Sequence, residues 1–203
     1  MEVCNPHLAK QVLESNPDLG LLLPCTIAVY QKDNENMSFF KTVEKRRSIR
    51  SFSNKPVEKS KIQKILKISL MSPSAKGLQN YQILVVEDQK KKDKLVDATH
   101  GQEYVNSSLV LVFCSDPKRI KFMGTRGKNL LSVQDATIAA SYAQLSATAL
   151  GLSSVWIGHF KEKTVAEILK TKLRPVVILP IGYANEKPVS KKSQNMKSMI
   201  KRI

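Results

Sequence analysis

The sequence predicts a three-layer domain, α+β or α/β, with strands alternating with helices, and three observations carry that expectation. Short apolar runs rich in branched residues alternate with helical segments from Met37 onward, as strands and covering helices do. One long segment, Leu130 to Leu150, repeats alanine at helical spacing and so lets a neighbouring backbone come close. The chain of 203 residues, 42% hydrophobic, is long enough to bury one core and too short for two full ones.

Residues 1–36 differ from the rest of the chain. A polar helix is expected from Pro6 to Ser15, then an Asn16-Pro17-Asp18 turn, then an apolar run from Leu21 to Tyr30, and Gln31 to Asn36 reads as a linker. The segment from Asn5 to Val29 resembles the C-terminal part of a small prokaryotic domain family of unknown function. Half a domain cannot bury its own core, so 1–36 is expected to be an extension that packs on the body or on a partner, with the catalytic domain at 37–203.

From Met37 the elements come in order. Phe39, Phe40 and Val43 suit a short helix ending near Arg46 and Arg47; Pro56-Val57-Glu58 opens a second, with Ile62, Ile65, Leu66 and Ser69 inward. Pro73 to Gly77 breaks it. Ile83 to Val86 and Leu109 to Phe113 read as strands buried on both faces, separated by a helix from Gln89 to Ala98. The long helix, with Ala136, Ala139, Ala140, Ala143 and Ala147 in one stripe, reads as a buried central helix or a dimer seam. It ends at Gly151, which suits the left-handed position after a helix. Ser154 to Ile157, Thr164 to Leu169 and Val176 to Ile181 complete the alternation before a basic tail.

Composition excludes several classes. No apolar run approaches the ~20 residues needed to span a bilayer and the first residues lack a signal-peptide core, so a soluble cytoplasmic protein is expected. Cys4, Cys25 and Cys114 are too far apart for a Cys-x-x-Cys pair and read as reduced, mostly buried thiols. His7, His100 and His159 show no ligand spacing, and no metal is expected. The formal charge of +16 would concentrate phosphates, dinucleotides or nucleic acid. With 6% aromatics there is little for bases to stack on, and the lysine runs read mainly as solvated surface.

Three constellations can carry chemistry. Arg46-Arg47-Ser48-Ile49-Arg50-Ser51-Phe52 packs three guanidinium groups and a hydroxyl at a helix end, suited to a phosphate or a carbonyl-rich ring and equally to a solvated basic helix end. Ser72 to Tyr81, with Pro73, Ser74, Ala75 and Gln79, offers small residues and an amide, and by itself is an ordinary loop. Gly151 to Phe160 is a strand ending at Gly158, whose N–H is open to a ligand, with Trp156 by itself a core residue.

Together, R-R-S-I-R-S-F, S-P-S-A-K-G-L-Q-N-Y, Q-D-A-T-I-A-A, A-L-G-L-S-S-V-W-I-G-H-F and R-P-V-V-I-L-P-I-G-Y-A resemble the nitroreductase family in order and spacing from about Met37 to Pro188. Gly124-Thr125-Arg126-Gly127 resembles the branch with G-x-R-G before the long helix. The resemblance implies a nitroreductase-like FMN-binding fold, α+β with a central mixed sheet flanked by helices, and an NAD(P)H oxidoreductase. It would reduce small acceptors such as nitroaromatics or quinones by ping-pong hydride transfer through flavin N5. It implies a homodimer with FMN at the subunit interface. Arg46, Ser48 and, in assistance, Arg47 fall where the family grips the phosphate. Arg50 falls at the N1/C2 carbonyl edge, where it would tune the redox potential. Pro73, Ser74, Ala75 and Gln79 match the loop lent by the neighbouring subunit. Trp156, Ile157, Gly158 and His159 match the strand end whose backbone meets N5, with the His159 side chain read as surface or packing. Lys191 or Lys192 would close the phosphate site from the tail. Gly77 and Asn80-Tyr81 depart from the family's frequent asparagine and proline-tryptophan. The rival reading is a non-catalytic flavin-binding or nucleic-acid-binding protein using the same fold and basic surface.

Overall fold

The structure is a computed structural model that describes residues 39–189 and 199–203. The expected extension 1–36, including Cys4, Cys25 and His7, lies outside the described residues, as do Lys191 and Lys192. Among the described residues the α-helices of seven or more residues and the strands are α1 (Phe39–Lys45), α2 (Lys59–Ser69), β1 (Tyr81–Val86), α3 (Gln89–Ala98), β2 (Leu109–Ser115), α4 (Ser132–Ala149), β3 (Ser153–Ser154), α5 (Glu162–Leu169) and β4 (Arg174–Gly182), with helical turns from Pro117 to Leu131 running into α4. The sheet order is β1-β2-β4-β3. All named pairs are antiparallel, and the parallel component expected of a mixed sheet is confined to one bridge, Ser48 with Ser154.

The three layers arise from alternation along β2, all of whose residues are buried. Leu109, Leu111 and Phe113 point to a cluster with Val57, Ile65 and the inner face of α4. Val110, Val112 and Cys114 point the other way, to Leu95, Ala98 and Val165 of α3 and α5. Burial on both faces holds for β2 but not for β1, whose Val85 is 38% exposed, because β1 pairs on one side only and forms an edge.

The alanine stripe is core, not a subunit seam. Ala136, Ala139, Ala140, Ala143 and Ala147 are fully buried and pack with the sheet of their own chain. Small side chains permit close approach of any backbone, and here the approaching one is the sheet. The helix ends as expected: Gly151 takes φ 74°, Leu152 N–H donates to Ala147 O at 2.9 Å and Gly151 N–H to Thr148 O at 3.1 Å, the paired bonds that close a helix C-terminus.

Two further expectations are corrected. The strand foreseen at Ser154 to Ile157 is a two-residue strand plus a lone bridge from Ile157 to Ile178. Lys92, one of a lysine run read as solvated, is 6% exposed and donates from Nζ to Ser107 O at 3.0 Å and Ser108 O at 3.3 Å. It ties α3 to the start of β2, and burial lowers its pKa.

Candidate functional site

The arginine segment lies on the β3 edge of the sheet. Ser48 bridges Ser154 in parallel, and Ile49 N–H donates to Ser154 O at 3.1 Å. Ile49 is 3% exposed, so extended alternation turns Ser48 and Arg50 outward. The next residues run antiparallel to the chain leaving β4. Ser53 N–H donates to Tyr183 O at 2.8 Å and Asn185 N–H to Ser51 O at 2.9 Å. Glu186 Oε1 accepts from the N–H of Arg50 at 2.5 Å and of Ser51 at 3.3 Å. Gly182 permits this: a Cβ there would lie 3.1 Å from Phe52 Cδ1.

Among the described residues the side chains of Arg46, Ser48 and Arg50 meet no carboxylate and make no hydrogen bond. Arg47 differs. Its Nη1 donates to Glu44 O at 2.5 Å and Arg46 O at 2.8 Å, closing the end of α1 with one of its three guanidinium nitrogens.

The strand end lies on the same edge. Ile157 and Ile178 exchange both backbone bonds, at 3.0 and 3.1 Å, so the N–H of Ile157 is not open to a ligand. Alternation turns the next N–H, that of Gly158, away from β4. It has no partner among the described residues. Trp156 is half-buried against the α4-side core, and its Nε1 lies 3.7 Å from where a Gly158 Cβ would stand. The exposed His159 ring stacks on His100 at 4.4 Å and 17°, which makes it a packing side chain of the turn. Lys161 N–H donates to Ala98 O at 2.9 Å and fixes that turn to the end of α3.

The third constellation is elsewhere. Residues 73–80 lead into β1, the opposite edge of the sheet, three strand steps from β3, about 14 Å at ~4.8 Å per step. A short helical turn, Ala75–Gly77, carries Lys76 at φ 51° and Gly77 at 69°, and Gln79 comes next at 49°. Ser74 Oγ accepts from Gln79 N–H at 2.9 Å. The Gln79 amide donates to Leu70 O at 2.5 Å, an anchor to the end of α2. Pro73, Ser74 and Ala75, with Leu131, Gln134, Asp135, Thr137 and Ile138 of the long helix and the turn before it, line an open cavity of about 490 Å³. The residues from Pro117 to Leu131 close over the loop's other side, with Arg119 Nη1 donating to Gln79 O at 3.3 Å and Lys76 Nζ 5.0 Å from the Phe122 ring. Gly127 is required there, since a Cβ would stand 2.6 Å from Met123 Cβ.

One chain therefore brings Arg46, Ser48 and Arg50 together with Trp156 to His159, and does not bring Pro73 to Gln79 to them. Asp135 was not among the expected site residues. Its signal was an acidic residue in phase with the buried stripe of an otherwise uncharged helix. Among the described residues no helix is long and apolar enough to cross a membrane, and no cluster of three ligating side chains could hold a metal ion.

Residues 43–183 match the model of the Nitroreductase family, more than two thirds of the chain, and residues 1–68 match Domain of unknown function DUF302. A protein of Archaeoglobus fulgidus with a provisional NADH dehydrogenase/NAD(P)H nitroreductase name is 33% identical over 153 residues, 72% of this chain and 85% of its own. The FMN reductase [NAD(P)H] of Bacillus subtilis is 28% identical over 155 residues, 70% of this chain and 62% of its own. Among solved structures, the NADPH:FMN oxidoreductase from Vibrio harveyi complexed with NAD+ superposes with a TM-score of 0.75 at 25% identity, covering 81% of this chain and 76% of that one. Nitroreductase A from Vibrio parahaemolyticus gives 0.76 at 26%, covering 82% and 76%. With the family model matched over residues 43–183 and a relative 33% identical along most of its own length, the chain belongs to the nitroreductase family.

Proposed function

We propose that this chain is an FMN-dependent NAD(P)H oxidoreductase that reduces small organic acceptors, such as nitroaromatics or quinones, and that it works as a homodimer. The observation that carries the reading is the donor set on the β3 edge. The side chains of Arg46, Ser48 and Arg50 make no hydrogen bond or ion pair among the described residues, and the Gly158 N–H stands outside the ladder. Cationic forks and a hydroxyl fit a phosphate dianion, and an unpaired N–H beside a residue without a side chain fits a flat ring. FMN, when bound, supplies the hydride chemistry.

The chain's own residues bind and orient. Arg46 and Ser48 hold the phosphate; Arg50, turned to the same side as Ser48, offers a cation that favours negative charge on the ring; Gly158 donates from its backbone. Arg47, whose Nη1 is bonded to the end of α1, assists with its remaining N–H donors. Pro73, Ser74, Ala75 and Gln79 serve the flavin of a second copy, because their own arginines lie across the sheet. The purified protein's visible spectrum tests the reading: flavin absorbance that bleaches anaerobically with NADH or NADPH supports it. Colourless protein that neither takes up FMN nor bleaches refutes it.

A further inference from the structure

Asp135 stands in the first turn of α4, 3% exposed, with no cation beside it among the described residues. Its Oδ1 accepts from Ala75 N–H at 3.0 Å. Its Oδ2 accepts from Asn80 Nδ2 at 2.6 Å and from Asn80 N–H at 3.4 Å. One carboxylate thus grips the loop at both ends of the turn. The residues between the grips include Lys76 and Gln79 in the left-handed region, a conformation that side-chain-bearing residues hold only when their surroundings impose it. Gln79 is also tied to Leu70 O and by Arg119 Nη1, while the bonds internal to the loop, Gln79 N–H to Ser74 Oγ and Gly77 N–H to Ser74 O, shape it without anchoring its Ala75 end.

Asn80 shows how strongly this grip is specified. Its side chain is fully buried and directs its NH₂ at Asp135, while its Oδ1 is left without a donor. Turning the amide over would set its oxygen against the carboxylate, so the orphaned oxygen is the lesser cost. A carboxylate accepts at both oxygens, one toward Ala75 and the other toward Asn80. Asparagine at 135 has one acceptor oxygen, so it would set a donor against either the N–H of Ala75 or the donors of Asn80.

We propose that Asp135 is the positioning residue of the flavin loop: through the N–H groups of Ala75 and Asn80 it fixes Ser74, Ala75 and Gln79 on the end of α4 in the form a second copy's FMN requires. This rests on the reading of residues 73–79 as the loop that serves FMN. Asp135 touches neither cofactor nor substrate, and its effect passes through the loop backbone.

The test measures two quantities on the full chain: amide exchange of the 73–81 segment against that of β2, and release of FMN followed by the recovery of its fluorescence on dilution. Asp135→Asn should speed exchange in 73–81 about ten-fold or more while β2 exchange stays unchanged, and should speed FMN release at least about ten-fold. Exchange in 73–81 equal to that of the parent overturns the grip. Faster loop exchange with parent-like FMN release overturns the link from grip to flavin. A parent protein that binds no FMN instead overturns the underlying functional reading. Ala75→Pro serves if Asp135→Asn does not fold. It deletes one bond at the first position of the turn, where proline fits after the extended Ser74, at φ −145° and ψ 161°. It should speed FMN release in the same direction, and unchanged release overturns the proposal.

Discussion

Ile157 and Ile178 exchange both backbone hydrogen bonds, at 3.0 and 3.1 Å, and this one pair decides which amide of the strand end faces outward. The N–H of Gly158 serves no protein bond among the described residues, so Gly158→Pro should fold with a melting temperature within a few degrees of the parent. If that N–H meets the flavin, its reduction by NAD(P)H should slow on the order of ten- to a hundred-fold, read by stopped-flow absorbance. Parent-like reduction would remove Gly158 from the site.

Arg46 and Arg50 should separate in phenotype. Both lack a carboxylate partner among the described residues, but the reading gives one a phosphate and the other the ring. A guanidinium ~4 Å from a charge at an effective dielectric near 20 interacts by about 4 kcal/mol before desolvation, and part of that differs between redox states. Arg50→Gln should lower the flavin potential by roughly tens of millivolts in a photoreduction titration. Arg46→Gln should chiefly raise FMN loss on dialysis. Identical potentials in Arg50→Gln and the parent would contradict the assignment.

Ala140→Leu probes the correction to the alanine stripe. Ala140 is fully buried in the chain's own core, so the larger side chain should cost about 1–3 kcal/mol of stability. Sedimentation well below the transition should give the parent's oligomeric state. Dissociation without destabilisation would restore the stripe as a subunit seam.

Cys114 gives a pH dependence of known sign. Burial pushes its thiol up to about 12 from 9.0, so the folded state resists ionisation that the unfolded state allows. The stabilising difference is complete below pH 9 and is lost as pH rises from there toward about 12, at up to about 1.4 kcal/mol per pH unit. Urea titrations of the parent and Cys114→Ala at pH 8 and pH 10 should converge as pH rises. A constant gap between them would show that the thiol ionises alike in both states.

Most of the fold was legible because periodicity and punctuation are local. Ile62, Ile65, Leu66 and Ser69 repeat at helical spacing, and Gly151 marks a helix end wherever that helix packs. What a face packs against is not local. The stripe from Ala136 to Ala147 reads alike for a sheet and for a second subunit, and only the sheet's position decides. The same limit explains Arg47, whose guanidinium turns back to Glu44 O and Arg46 O, and Asp135, whose partners Ala75 and Asn80 lie far from it in sequence. The site motifs were legible as blocks, but the gap across the sheet between Gln79 and Gly158 comes from the strand order alone.

That gap is central to the proposed function, in which the site is made from both edges and so from two chains. Arg46→Gln and Ala75→Asp should each release FMN, one through the phosphate grip and the other through the loop. Unfolded together and refolded as a mixture, they form hybrid dimers in which one site has both defects and the other has neither. The measurement is FMN bound per dimer in the isolated hybrid, from absorbance after gel filtration. Recovery of one tightly held FMN per hybrid, absent from either variant alone, is the expected result. No recovery in a correctly assembled hybrid would contradict the two-chain site and return the whole of it to a single chain.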